Sequence, residues 1–194
     1  MPTRLELSVT ETLTTETRET LPAGPSEHHA GTTRILHWAV AVLVLLTWPM
    51  GLMIGFAKKE VVMNFYLLHE SLGFLVLWLM LVRVGNKLVA RSPEAEGPAI
   101  ERFAASSVHG LLYAFLIIMP VSGFLATNAH GFPLKWFGLV EVWSPMGKSP
   151  DIAWTLSAIH EWSAWILLAL FGLHIGAVLF HHVIRRDRTL FRIL

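Results

Sequence analysis

Residues 152–184, IAWTLSAIHEWSAWILLALFGLHIGAVLFHHVI, decide how this chain is read. Glu161 is the only acidic or basic residue in the stretch apart from histidine, and the run is long enough to cross a hydrocarbon core about 30 Å thick as a helix. His160 and His174 stand fourteen residues apart within it. At about 100° per residue, fourteen steps return to within about 40° of the same helix face and advance about 21 Å. The two imidazoles therefore point one way at two depths. That geometry suits one axial ligand for a haem near each membrane surface, with other helices supplying the opposite ligands.

Composition agrees with a membrane protein. The 194 residues are 54% hydrophobic and only 15% charged, and mean hydropathy is positive. A net charge of +1 gives no bulk attraction to nucleic acid. The absence of cysteine excludes disulfides, iron–sulfur ligation, thiol catalysis and thioether attachment of haem, and leaves histidine as the ligand at hand.

Residues 1–33 are rich in Thr and Glu and lack an apolar run, so they are expected to form a disordered tail ahead of a membrane domain spanning 34–194. Three further apolar stretches, at about 35–56, 61–82 and 103–126, bring the expected architecture to an all-α bundle of four transmembrane helices. Lys and Arg favour the cytoplasmic flank of a span. Arg34, Arg83, Lys87, Arg91, Arg102, Arg185, Arg186, Arg188 and Arg192 fall on one side, against Lys58, Lys59, Lys135 and Lys148 on the other. Both termini are thus expected in the cytoplasm. Segment 127–151, with its Gly and Pro residues and Trp136 and Trp143, then reads as an external loop at the interface.

On this topology His37 sits at the inner end of the first helix, while His69 and His160 sit near the outer ends of the second and fourth. Depth pairs His69 with His160 and His37 with His174. A polar group in hydrocarbon costs several kcal/mol unless it finds a partner, so ionisable residues inside spans read as functional. Depth alone also admits His181, seven residues beyond His174, as the inner ligand, and His109 opens the third helix on the same side. Neither His69-Glu70 nor His160-Glu161 continues to a second histidine four residues on, so no zinc-hydrolase motif is present. Arg83 follows His69 by fourteen residues. Its guanidinium suits a haem propionate in two-point geometry, although an arginine at the inner end of a span is also ordinary topology. Gly51 follows His37 by the same interval and is expected to leave room for the outer haem.

Several quoted stretches resemble the bacterial cytochrome b561 family: Arg34-Ile-Leu-His37-Trp38, Leu68-His69 with Arg83, Tyr113 with Met119-Pro120-Val121-Ser122-Gly123, and Ile159-His160-Glu161 with Gly172-Leu-His174 and His181-His182. The resemblance covers about residues 34–194. It implies a four-helix cytochrome of the bacterial inner membrane with two haem b groups, ligated by His37 with His174 and by His69 with His160. It is this resemblance that sets His181 aside.

Iron held by two imidazoles has no open position, so the expected chemistry is outer-sphere electron transfer rather than oxygen activation. Members of the resembled family include superoxide oxidases that reduce membrane quinone, which implies superoxide at the external face and quinone in the bilayer. Lys58, Lys59 and Lys135 are the external cations available to an anionic donor, and His181, His182, Glu70 or Glu161 are the candidates to supply protons to quinone. A second reading is the cytochrome subunit of a larger dehydrogenase or hydrogenase that takes electrons from a redox protein. A third is a haem-free helical scaffold whose histidines serve packing.

Overall fold

A computed structural model describes residues 29–90 and 97–194. Four long helices account for most of them: α1 (Gly31–Ile54), α2 (Lys59–Val89), α3 (Ala99–His130) and α4 (Pro150–Leu179). All four are long and apolar enough to cross a membrane. α2 and α3 extend beyond both ends of the apolar runs that announced them. The last two turns of α2, for instance, carry Arg83, Asn86 and Lys87. Most of the expected tail, and Arg91 of the charge count, lie outside the described residues.

Local signals fix the helix ends. Pro150 occupies the first turn of α4, where its missing N–H costs nothing. Gly131 closes α3 with φ 93°, its amide bonding Asn128 O, and the aliphatic stem of Lys148 lies across it. Glu60, Glu101 and Asp151 sit in first turns, where the helix dipole favours negative charge. A single turn of π-helix (Phe180–Arg185) prolongs α4, and Leu190–Arg192 form a short 3₁₀ turn.

Successive helices run antiparallel, so the described residues begin and finish at one end of the bundle. The His29 amide bonds Arg192 O at 3.1 Å, and Trp38 Nε1 donates to Ile193 O at 3.1 Å. We call this the terminus end. The opposite, hairpin end carries the 131–149 connection, which is more ordered than a plain loop. Its two short strands, β1 (Lys135–Trp136) and β2 (Val140–Glu141), pair antiparallel, with Phe137 and Gly138 at positive φ in the turn. The hairpin is fastened to α2, where Ser71 accepts Trp136 Nε1 at its carbonyl and the Phe137 amide at its hydroxyl.

Midway between the ends, Val40, Val76, Met80, Leu116, Met119 and Leu167 form the buried core. Lipid is as apolar as these side chains, so close packing rather than escape from water holds the helices here. Trp48 Nε1 donates to Ala164 O, and its ring meets Trp165 edge to face at 6.0 Å, closing α1 onto α4.

Candidate haem-binding sites

Each helix presents three positions spaced by seven, which nearly superpose on one face and climb about 10 Å per step. The triplets are His37, Val44 and Gly51 in α1, and His69, Val76 and Arg83 in α2. In α3 they are His109, Leu116 and Gly123, and in α4 His160, Leu167 and His174. Antiparallel packing turns them into layers. The terminus-end layer contains His37, Arg83, His109 and His174; the hairpin-end layer contains His69 and His160 alternating with Gly51 and Gly123. An apolar layer separates the two.

At the hairpin end the rings of His69 and His160 meet edge to face with centroids 5.9 Å apart. His69 Nδ1 donates to Thr47 O at 2.9 Å, and His160 Nδ1 donates to Met119 O at 2.8 Å. A carbonyl only accepts, so each neutral ring carries its proton on Nδ1 and keeps the Nε2 lone pair. Glu70, next to His69, accepts the Thr127 hydroxyl at 3.1 Å and ties α2 to α3.

At the terminus end the centroids of His37 and His174 are 6.3 Å apart, and His109 approaches His174 more closely, at 5.3 Å. Arg83 joins this group. Its Nη2 donates to His37 Nδ1 at 3.1 Å and its Nε to the Tyr113 hydroxyl at 3.0 Å, while Lys87 stands 4.7 Å from the centre of the Tyr113 ring. His181 is turned to a different partner: its Nδ1 donates to Asp187 Oδ2 at 2.5 Å, and the Thr189 amide donates to the other carboxylate oxygen. Burial is the largest single influence on the Asp187 carboxyl and raises its pKa, but the bonds from His181 and Thr189 together outweigh it and hold the carboxyl at about 2. Arg185 pairs with Glu101, linking the π-helical turn to α3. Burial, then Arg192 and Arg83, keep the His29 imidazole below the ordinary histidine range.

The family model described as prokaryotic cytochrome b561 matches residues 28–194. Cytochrome b561 homolog 2 of Escherichia coli K12 is 30% identical over 81% of this chain and 86% of its own length. Probable superoxide oxidase CybB of Yersinia pestis is 30% identical over 82% and 91%, and cytochrome b562 of Cereibacter sphaeroides 32% over 82% and 90%. The chain belongs to the prokaryotic cytochrome b561 family. It is therefore a multi-pass protein of the bacterial inner membrane, and as a cytochrome b561 it binds haem b and transfers electrons.

The donor set suits that cofactor. Imidazoles whose Nδ1–H groups are committed to carbonyls offer Nε2 to iron in a fixed orientation, the usual arrangement around a ligating histidine. In this cytochrome b561 the rings of His69 and His160, and those of His37 and His174, are brought together edge to face. His109, which the sequence already put on that side, takes its place in the terminus-end layer; the structure adds Tyr113 there and the carbonyls of Thr47 and Met119 to the other. Spacing by seven is the sequence signal for His109; for the backbone acceptors the one trace is the glycine four residues later. Lys58 and Lys59 lie exposed at the start of α2, whereas Lys135 stands opposite Glu141 in the β-hairpin. Gly51 lies against the His69 ring, while Gly172 and Gly176 face open space.

Proposed function

We propose that this protein holds two haem b groups, one between His69 and His160 and one between His37 and His174, and that it oxidises superoxide outside the membrane while reducing quinone within it. The carrying observation is the layered arrangement: two histidine pairs at two levels of one bundle with an apolar core between them. Haem b with two imidazole ligands supplies one-electron outer-sphere transfer. Two superoxide anions give up two electrons and leave as dioxygen; the electrons and two protons convert one quinone to quinol.

In this reading the terminus end faces the cytoplasm, which the distribution of Arg and Lys supports, and 34–194 form one membrane domain. The hairpin end then faces the periplasm. Lys58 and Lys59 place two cations at the N-terminus of α2, where the helix dipole adds to their attraction for an anion. In this reading Arg83, which bonds His37 and Tyr113 here, turns to a propionate of the haem between His37 and His174. His181, oriented by Asp187 at the cytoplasmic end, and His182 are the proton donors available there; Glu70 and Glu161 are their counterparts at the other end. The exposed Phe132, Leu139 and Trp143 on the 131–149 connection favour a second reading, in which a redox protein docks there and donates the electrons instead.

Purified protein given a superoxide generator and a short-chain quinone is expected to show haem reduction followed by quinol formation. Reduction no faster than in a denatured control defeats the superoxide reading and leaves the docked donor.

A further inference from the structure

The hairpin-end histidines are held by the same backbone device twice over. Thr47 and Gly51 are four residues apart in α1, as Met119 and Gly123 are in α3, so each carbonyl and glycine occupy one helix face a single turn apart. A proline lies inside each interval, at Pro49 and Pro120. The histidine of the next helix in the chain reaches in, donates to the carbonyl and lays its ring over the glycine. A Cβ built on Gly51 would stand 2.8 Å from His69 Cε1 and 3.2 Å from its Nδ1. On Gly123 it would stand 2.7 Å from His160 Nδ1 and 2.8 Å from Cε1.

The contacts below 3.0 Å, one at Gly51 and two at Gly123, are shorter than real Cβ atoms show. The ring would have to give way, and movement away from the new methyl is also movement away from the carbonyl one turn below. The Met119 oxygen additionally accepts the Ser122 hydroxyl at 2.9 Å, which fixes its surroundings further. The arrangement is confined to one level. At the terminus end the equivalent positions in α1 and α3 are His37 and His109, and Gly85 and Gly110 in that half have no neighbour within 4 Å of an added Cβ.

We infer that Gly51 and Gly123 are positioning residues for the haem between His69 and His160, acting by admitting each imidazole to its carbonyl and so setting its tautomer and basicity. Donation from Nδ1 makes the ring a stronger electron donor through Nε2 and favours ferric iron; weakening that bond favours the ferrous state. The inference rests on the two-haem reading above.

The test is redox titration with optical detection, together with low-spin EPR, of full-length haem-loaded Gly51→Ala and Gly123→Ala, with Gly85→Ala as control. Each glycine variant is expected to move one midpoint potential positive and to alter one of two low-spin EPR signals, leaving the other haem and the control as in the parent. An unmoved or more negative potential in the glycine variants, or equal shifts in both haems, overturns the assignment. The two variants read the same relation in separate hairpins, so if one fails to accumulate the other decides. A parent holding fewer than two haems defeats the two-haem reading instead, and is recognised before any variant is measured.

Discussion

At the hairpin end, His69 and His160 are each fixed to a main-chain oxygen and backed by a glycine, whereas at the terminus end His37 accepts a hydrogen bond from Arg83 and shares its level with His109 and His174. A helical carbonyl cannot turn away; an arginine can. The first arrangement gives each ring the tautomer that iron needs. The second places the proton of a neutral His37 on Nε2, because the guanidinium has only donors to offer Nδ1. Ligation through His37 Nε2 therefore requires Arg83 to find another acceptor, and a haem carboxylate is the group its planar fork matches. One end is organised by backbone geometry and the other by charge.

The largest effect that separates the ends is loss of a whole cofactor. His69→Ala and His160→Ala are each expected to remove the same haem, His37→Ala and His174→Ala the other, as read by haem-to-protein ratio and EPR. Loss of the terminus-end haem from His181→Ala but not from His174→Ala would overturn that pairing. Charge should act next at the hairpin end. Reversing Lys58 and Lys59 to Glu is expected to slow reduction by superoxide about tenfold at low ionic strength, with the deficit shrinking as salt screens the field. Stopped-flow rates across a salt series would measure it.

At the terminus end, Arg83→Gln removes a cation beside the haem. The expected result is a fall of about 60 mV in that midpoint potential, equivalent to about 1.4 kcal/mol for one electron, with the hairpin-end haem unmoved. Equal shifts in both would erase the distinction between the ends. The smallest effect concerns His29. Its pKa is lower in the folded protein than the ordinary 6.5, so the unfolded chain binds more protons between the two values. Its contribution is therefore present above pH 6.5 and is lost as pH falls below it. Hydrogen exchange around residues 29–34, corrected for intrinsic rate, should rise on acidification, and His29→Gln should flatten that rise.

Helix number and the approach of His69 to His160 and of His37 to His174 were legible because both rest on long-range regularities: apolar runs that match a bilayer, and intervals of fourteen that keep one helix face. The helix ends were less legible. Arg83, Asn86 and Lys87 interrupt the apolar run without interrupting α2, since Asn86 bonds Thr33 and Arg83 bonds Tyr113 across the bundle. The β-hairpin escaped notice because strands of two residues leave no alternation to read, although Phe137-Gly138 carried the turn. The acceptors for His69 and His160 were invisible, as any residue type supplies a carbonyl; the glycine four positions later was the only trace. Spacing could not separate His181 from His174, whereas Asp187 in the structure gives His181 a partner of its own.

Val40, Val76, Met80, Leu116, Met119 and Leu167 fill the middle of the bundle with side chains that neither donate nor accept a transferable proton. Charge crossing that layer does so as bare electrons, and a full crossing works with or against about 2.3 kcal/mol per 100 mV of membrane voltage. With superoxide oxidised at the hairpin end and quinone reduced at the terminus end, the proposed orientation sends electrons toward the negative side. An energised membrane would therefore brake this cytochrome, and collapsing the voltage with an ionophore would release it.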